Sequence, residues 1–123
     1  MTPKKVLLVD DQNTVLMMER MMLKQAGYTI ATAKNGAEAI AKAMSERPDL
    51  ILLDVIMPDM DGFAVCRALR AHQDTKDVPI IMCTTRGEAT NVQTGYDAGC
   101  NEYVTKPFNS VDLLAKVQRY LGK

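Results

Sequence analysis

Five short apolar runs, each followed by a segment with helical character, constrain this chain more than any other feature. Apolar residues follow one another in these runs without polar alternation, which is typical of β-strands covered on both faces. The predicted strands are 6–9, 28–33, 50–53, 79–83 and 102–105, and the predicted helices end near residues 26, 47, 71, 98 and 121. Parallel neighbours need a crossover, and a helix supplies it compactly. The sequence therefore predicts an α/β domain with a five-stranded parallel sheet and helices on both faces.

Turn and capping residues set the boundaries of the predicted helices. Asn13 or Thr14 is the expected N-cap of the first helix, and Asn109 or Ser110 that of the last. Gly27 and Gly99 are expected to end the first and fourth helices, because glycine accepts the left-handed backbone that terminates many helices.

Length and composition exclude several classes of protein. At 123 residues the chain has the size of one domain, with no room for a second. Fifteen basic residues balance fifteen acidic ones, so we expect no nucleic-acid partner. The first apolar run is too short for a signal peptide or a membrane span, so we expect a cytoplasmic protein without membrane insertion. The three cysteines, Cys66, Cys83 and Cys100, are widely spaced and fit neither a disulfide framework nor a zinc site.

Polar residues stand where the predicted strands end. Asp10 and Asp11 close the first strand, Asp54 the third, Thr84 the fourth and Lys106 the fifth. The carboxyl ends of parallel strands meet at one edge of a sheet, so these residues are expected to converge. Three clustered carboxylates repel unless a cation lies among them, and oxygen ligands suit magnesium or manganese better than zinc. A carboxylate beside a cation, an ammonium and a hydroxyl has the chemistry of a nucleophile toward phosphorus.

Two longer motifs surround these residues. DVIMPDMDGF begins at Asp54, and VTKPF contains Lys106. From Lys5 to Leu121 the chain resembles the receiver domain of two-component response regulators, and in its length it resembles the stand-alone, CheY-like members. The resemblance implies a flavodoxin-like, doubly wound (βα)5 fold with strand order 2-1-3-4-5. It also implies a single receiver domain over residues 1–123, without an output domain.

The resemblance assigns a role to each acidic residue. It implies that Asp54 accepts a phosphoryl group from a phosphohistidine of a sensor histidine kinase. Asp11, Asp54 and the backbone carbonyl of Ile56 would ligate Mg²⁺, with Mn²⁺ as a substitute. Asp10 would orient metal-bound water, which makes it the fourth member of the metal site.

The resemblance also implies how phosphorylation would be reported. Lys106 would pair with the phosphoryl oxygens, and Thr84 would move to hydrogen-bond them. Tyr103 would then rotate inward, changing a surface made by the fourth helix, the fifth strand and the last helix, the α4-β5-α5 surface. A downstream target protein would bind that surface, so the chain is expected to be a signalling switch and not an enzyme in the usual sense.

Several alternatives remain open at this point. The target implied is the flagellar switch of chemotaxis, whereas a phosphorelay intermediate would pass its phosphoryl group to a phosphotransfer protein. A magnesium-dependent phosphatase with an aspartate nucleophile usually carries D-x-D after the first strand and a substrate cap, both missing from this sequence. A flavodoxin-like electron carrier shares the topology, but carboxylates after the first strand would repel flavin phosphate.

Two further features concern the lifetime of the phosphoryl group and the binding of the kinase. Ile56 and Arg86 stand where the family often has polar residues that influence access of water, and we expect Ile56 to retard dephosphorylation. The first helix is rich in methionine, with a predicted inward stripe of Val15, Met18, Met22 and Ala26. That stripe leaves Met17 and Met21 outward, as an adaptable docking surface for the kinase.

Overall fold

The computed structural model of the chain describes residues 3–55, 57–85, 96–106 and 109–122. Its strands are β1 (Lys5–Val9), β2 (Thr29–Ala33), β3 (Leu50–Asp54), β4 (Ile80–Thr85) and β5 (Glu102–Lys106). Its long helices are α1 (Asn13–Gln25), α2 (Gly36–Glu46), α3 (Gly62–Ala71) and a C-terminal helix (Ser110–Leu121). Residues 96–98 form a helical turn, and the remainder of the predicted fourth helix lies outside the described residues.

The five strands form one parallel sheet in the order β2-β1-β3-β4-β5. The predicted strand order is therefore confirmed. The register brings the strand ends together, since Val9 pairs with Leu53, and Asp54 pairs with Cys83. At the other side of the sheet Thr84 pairs with Thr105.

Alternate residues of each central strand enter two different cores. Leu7, Leu53 and Met82 belong to a core covered by α2 and α3. Their neighbours Leu8 and Leu52 belong to a second core, which α1 and the C-terminal helix cover from the opposite face. Because both faces of a strand must be apolar in this arrangement, the sequence shows continuous apolar runs instead of alternation.

Side-chain caps start three of the helices. Asn35 accepts a hydrogen bond from the amide of Glu38, Asp61 from that of Ala64, and Asn109 from those of Val111 and Asp112. The predicted cap of the last helix is thus confirmed. Gly27 and Gly99 have φ angles of 98° and 108°, and they follow α1 and the turn 96–98 as expected.

The predicted N-cap of α1 was wrong. Asn13 is already helical, and the residue at the cap is Gln12, whose side chain makes no capping hydrogen bond. The reason lies upstream: the Asp10 carboxylate accepts the Gln12 amide at 2.9 Å and builds the turn that a capping side chain would otherwise build. The helix consequently begins earlier than its sequence suggests.

The predicted inward stripe of α1 was confirmed only in part: Met22 and Ala26 pack against the second core, but the prediction was wrong for Met18. Leu16, Glu19 and Leu23 face the core, whereas Met18 is 46% exposed. Leu16 and Leu23 enter the second core, and Val15, Met22 and Ala26 are only partly buried. The outward position of Met17 and Met21 is confirmed, since these side chains are 63% and 59% exposed. Among the described residues no helix is long and apolar enough to cross a membrane.

Candidate metal and phosphoryl site

Three carboxylates converge at the carboxyl edge of the sheet. One oxygen of each of Asp10, Asp11 and Asp54 lies within 4.8 Å of the others. Asp10 and Asp54 are buried, with 1% and 5% of their surface exposed, and Asp11 is exposed. The sequence prediction that these three residues meet is therefore confirmed by the geometry.

The end of β1 explains how two adjacent aspartates reach the same space. Successive strand residues point to opposite faces, so the strand must end before both can contribute. It ends at Val9. The Asp10 amide still donates to the Ala33 carbonyl at 3.1 Å, after which the Asp10 carboxylate accepts the Gln12 amide and the chain turns. Asp11 lies within that turn, on the solvent side of the cluster.

The backbone around Asp54 is held from two sides. The Val55 amide donates to the Cys83 carbonyl of β4 at 3.2 Å, and the Val55 carbonyl accepts the Gly62 amide at 2.6 Å. A Cβ at Gly62 would lie 2.3 Å from the Asp54 carbonyl oxygen. The sequence indicated Gly62 only as a member of the motif DVIMPDMDGF, yet its missing side chain allows α3 to begin against the backbone of Asp54.

Asp59 is a second residue whose role the sequence did not reveal. Its carboxylate accepts the amides of Gly36 and Ala37 at 2.7 and 2.9 Å, which joins the loop after β3 to the start of α2. Hydrogen bonds from these amides, that of Gly36 first, hold the pKa of Asp59 below its usual value. Asp61, two residues later, caps α3, so the two acids of this loop serve the starts of two different helices.

The donor set fits a hard divalent cation. Magnesium binds oxygen at about 2.1 Å, so ligand oxygens around it lie up to about 4.2 Å apart. The 4.8 Å limit of the carboxylate cluster is close to that span, and water can complete the coordination. An all-oxygen site suits magnesium or manganese, whereas zinc favours nitrogen and sulfur. Asp10, Asp11 and Asp54 are the residues that could hold the ion.

The remaining predicted site residues are placed by the backbone alone. Thr84 lies in β4, and Lys106 ends β5, where it pairs with Thr85. Both therefore stand at the same edge of the sheet as Asp54. Their side chains, like Ile56 and Arg86 as whole residues, lie outside the described part of the chain.

Tyr103 occupies β5 opposite Met82 and is half-buried against the core formed with α2 and α3. Its ring meets that of Tyr96 edge to face, with centroids 5.5 Å apart and an interplanar angle of 61°. Sequence reasoning identified Tyr103 but missed Tyr96, because nothing in the spacing of the two tyrosines indicates that their rings touch.

The cysteines behave as the sequence indicated. Cys66, Cys83 and Cys100 are free and buried. Burial raises the pKa of Cys66, and it raises that of Cys100 to about 12. Both thiols consequently stay protonated at neutral pH and act as small apolar groups.

A doubly wound parallel sheet with a carboxylate cluster at its carboxyl edge is the architecture of a receiver domain. The family model "Response regulator receiver domain" matches residues 6–118. The chain belongs to that family.

Relatives span several kinds of two-component protein. The transcriptional regulatory protein ResD of Bacillus subtilis is 43% identical over 97% of this chain and 48% of its own length. Chemotaxis response regulator CheY4 of Vibrio cholerae is 41% identical, with a TM-score of 0.90 over 97% of this chain and 99% of that one. The receiver domain of sensor histidine kinase PA1611 of Pseudomonas aeruginosa is 31% identical, with a TM-score of 0.90 over 99% of this chain and 100% of that one. The chain spans about half the length of the curated relatives it matches.

Proposed function

We propose that this receiver domain is a phosphorylation-activated switch and that Asp54 accepts its phosphoryl group from a phosphohistidine of a sensor histidine kinase. The observation that carries the proposal is the carboxylate cluster, in which buried Asp54 lies between β1 and β4 with Asp10 and Asp11 beside it. A carboxylate oxygen of Asp54 attacks phosphorus, and the bond from phosphorus to the donor imidazole breaks. Backbone hydrogen bonds of the adjacent Val55, to β4 and to the start of α3, hold the attacking group in place.

The neighbouring acids are proposed to serve Mg²⁺. Bound magnesium supplies positive charge that offsets the negative charge of the carboxylates and the incoming phosphoryl oxygens. Asp11 and Asp54, with the carbonyl of Ile56, would hold the ion, while Asp10 would orient its water. The PA1611 receiver domain supports this proposal, because that structure is described with a magnesium ion coordinated in the active site cleft.

Lys106 and Thr84 complete the proposed chemistry at the neighbouring strand ends. The ammonium of Lys106 would neutralise phosphoryl oxygens, and the hydroxyl of Thr84 would hydrogen-bond them and report the event to Tyr103. The parallel register supports these roles, since it places the end of β4 beside that of β3 and the end of β5 beside that of β4. We propose that the chain promotes only its own phosphorylation and dephosphorylation, and release of product from small phosphate esters would contradict this.

The kinase is proposed to dock on α1. Met17 and Met21 are 63% and 59% exposed on that helix, where flexible thioethers can adapt to a partner helix. Met17→Gln with Met21→Gln should slow transfer from the kinase while leaving labelling by acetyl phosphate unchanged. Equal slowing with both donors would instead indicate damage to the site.

The proposed target is a protein that binds the changed surface around β5. Chemotaxis is one pathway, supported by the similarity to CheY4, and in it the target would be the flagellar switch. The curated relatives ResD and PhoP are named as transcriptional regulatory proteins, which favours a transcriptional output as a second candidate. Transfer of the phosphoryl group from Asp54 to a phosphotransfer protein would support the phosphorelay alternative. Each of these roles would place the chain in the cytoplasm.

Intact-mass measurement after incubation with acetyl phosphate and Mg²⁺ tests the acceptor. The unmodified sequence should gain one phosphoryl group, and Asp54→Asn should gain none. Asp77→Asn is the matched control, because Asp77 is exposed in the loop before β4 and should leave labelling intact. Equal labelling of the Asp54 variant would refute the assignment.

A further inference from the structure

Tyr96, whose ring packs edge to face on that of Tyr103, precedes a segment that hydrogen bonds hold in place. Hydrogen bonds with α3 and β4 hold residues 98–101, among them those from the Cys66 thiol to the Ala98 carbonyl at 3.4 Å, from the Arg70 Nε to the Gly99 carbonyl at 2.9 Å, and from the Asn101 backbone amide to the Ile80 carbonyl at 2.8 Å. The Gly99 amide also donates to the Tyr96 carbonyl at 3.0 Å. The segment that carries Tyr96 is consequently fastened to α3 and β4.

The two rings differ in burial. Tyr103 is half-buried, with the core on one side, whereas Tyr96 is 43% exposed. The 5.5 Å centroid separation and 61° interplanar angle are those of a favourable aromatic pair. Tyr96 is the more exposed of the two, so a rotation that carries the Tyr103 ring deeper into the core would lengthen the distance between the rings and give up this contact. The pair therefore stabilises the half-exposed position of Tyr103 against the inward one.

We propose that Tyr96 is a positioning residue of the switch, whose ring holds Tyr103 in its half-exposed position and so sets how readily phosphorylation moves it. This inference rests on the proposed function, in which inward rotation of Tyr103 accompanies phosphorylation. Coupling between sites is reciprocal in free energy. A change that weakens the Tyr96 contact must therefore strengthen binding of a phosphoryl mimic at Asp54.

The experiment uses beryllofluoride with Mg²⁺ as the phosphoryl mimic and Tyr96→Ala as the variant. Loss of one aromatic pair should lower the Kd for beryllofluoride about two- to twelvefold. Tyr96→Phe is the matched control, since it keeps the ring and should retain the original Kd. An unchanged Kd in Tyr96→Ala would overturn the inference.

A direct view of Tyr103 separates positioning from a structural effect. The chain has four tyrosines, so 3-fluorotyrosine should give four ¹⁹F resonances, and Tyr103→Phe identifies the one to follow. In ligand-free Tyr96→Ala that resonance should move toward its position in the beryllofluoride complex. Lower thermal stability with an unmoved resonance would overturn the inference.

The failure of the inference differs from failure of the proposed function. One phosphoryl group on Asp54, with the same beryllofluoride Kd in Tyr96→Ala and the unmodified sequence, would overturn the role of Tyr96 alone. No phosphoryl group on Asp54 from acetyl phosphate would overturn both.

Discussion

Replacing Gly62 with alanine should disturb Asp54 without touching any charged group. The added Cβ would lie 2.3 Å from the Asp54 carbonyl oxygen and 2.9 Å from the Val55 Cα. Ordinary contact between such atoms begins near 3.5 Å, so the backbone must open by about 1 Å. Because both neighbours are backbone atoms, no side-chain rotation can relieve the overlap.

The magnitude follows from known costs of overpacking. Insertion of a methyl group into a packed site costs about 1–3 kcal/mol of stability, or a fall in Tm of about 3–12 °C for a domain of this size. Displacement of a reacting group by about 1 Å can lower its rate by about a hundredfold. We therefore expect Gly62→Ala to lower the rate at which acetyl phosphate phosphorylates Asp54 far more than the loss of folded protein alone would lower it.

The assays are thermal unfolding by circular dichroism and the initial rate of phosphoryl incorporation by mass spectrometry. Gly27→Ala is the matched control, because among the described residues no atom beyond its chain neighbours lies within 4 Å of the added Cβ, while its φ of 98° makes alanine strained. That variant should lose about 1–2 kcal/mol of stability and keep its phosphorylation rate. A normal rate and Tm in Gly62→Ala would refute the reasoning.

Two further predictions concern side chains that brace the loops. The lowered pKa of Asp59 means that its hydrogen bonds stabilise the fold above the ordinary aspartate pKa, and that this contribution is lost as pH falls through the lowered value. Urea midpoints of Asp59→Asn should therefore fall below those of the unmodified sequence at pH 7, and the difference should shrink as the pH falls below the ordinary aspartate pKa; a constant difference would contradict this. Arg70 donates to the Val78 and Gly99 carbonyls and to the side-chain amide oxygen of Asn101. Arg70→Lys should therefore lower the free energy of unfolding, measured in urea, by about 2–3 kcal/mol, whereas Arg67→Lys, on the exposed side of α3, should leave it almost unchanged.

Continuous apolar runs predicted the central strands, because β1 and β3 are buried on both faces. The apolar run of β3 is typical of a central strand, and the strand order that brings Asp10 and Asp54 together followed from the resemblance to receiver domains. The phase of α1 could not be predicted in the same way. Apolar residues surround most of that helix, so several inward stripes are possible. The face that is buried in the structure includes Glu19, a charged residue that a hydrophobic pattern would place on the solvent side.

The contacts that brace the site join segments that are far apart in the chain, and the residue types in each segment do not show which other segment it will contact. Asp59 reaches the Gly36 amide across 23 positions, and Gly62 reaches the backbone of Asp54 through the geometry of a loop. In both cases the sequence showed a residue suited to a turn. Only the packing of α2 and α3 against the sheet determines that these two turns also brace the loop after β3.

The register also limits how far the proposed switch must transmit its signal. Tyr103 pairs with Met82, two residues before Thr84 on the same strand, which is about 7 Å along β4. Met82 is fully buried, so movement of Thr84 can be confined to the end of the strand while the core stays fixed. A short path of this kind favours a switch in which few contacts change. In such a switch the free energy of the ring contact between Tyr96 and Tyr103 is large enough to shift the equilibrium between the half-exposed and inward positions of Tyr103.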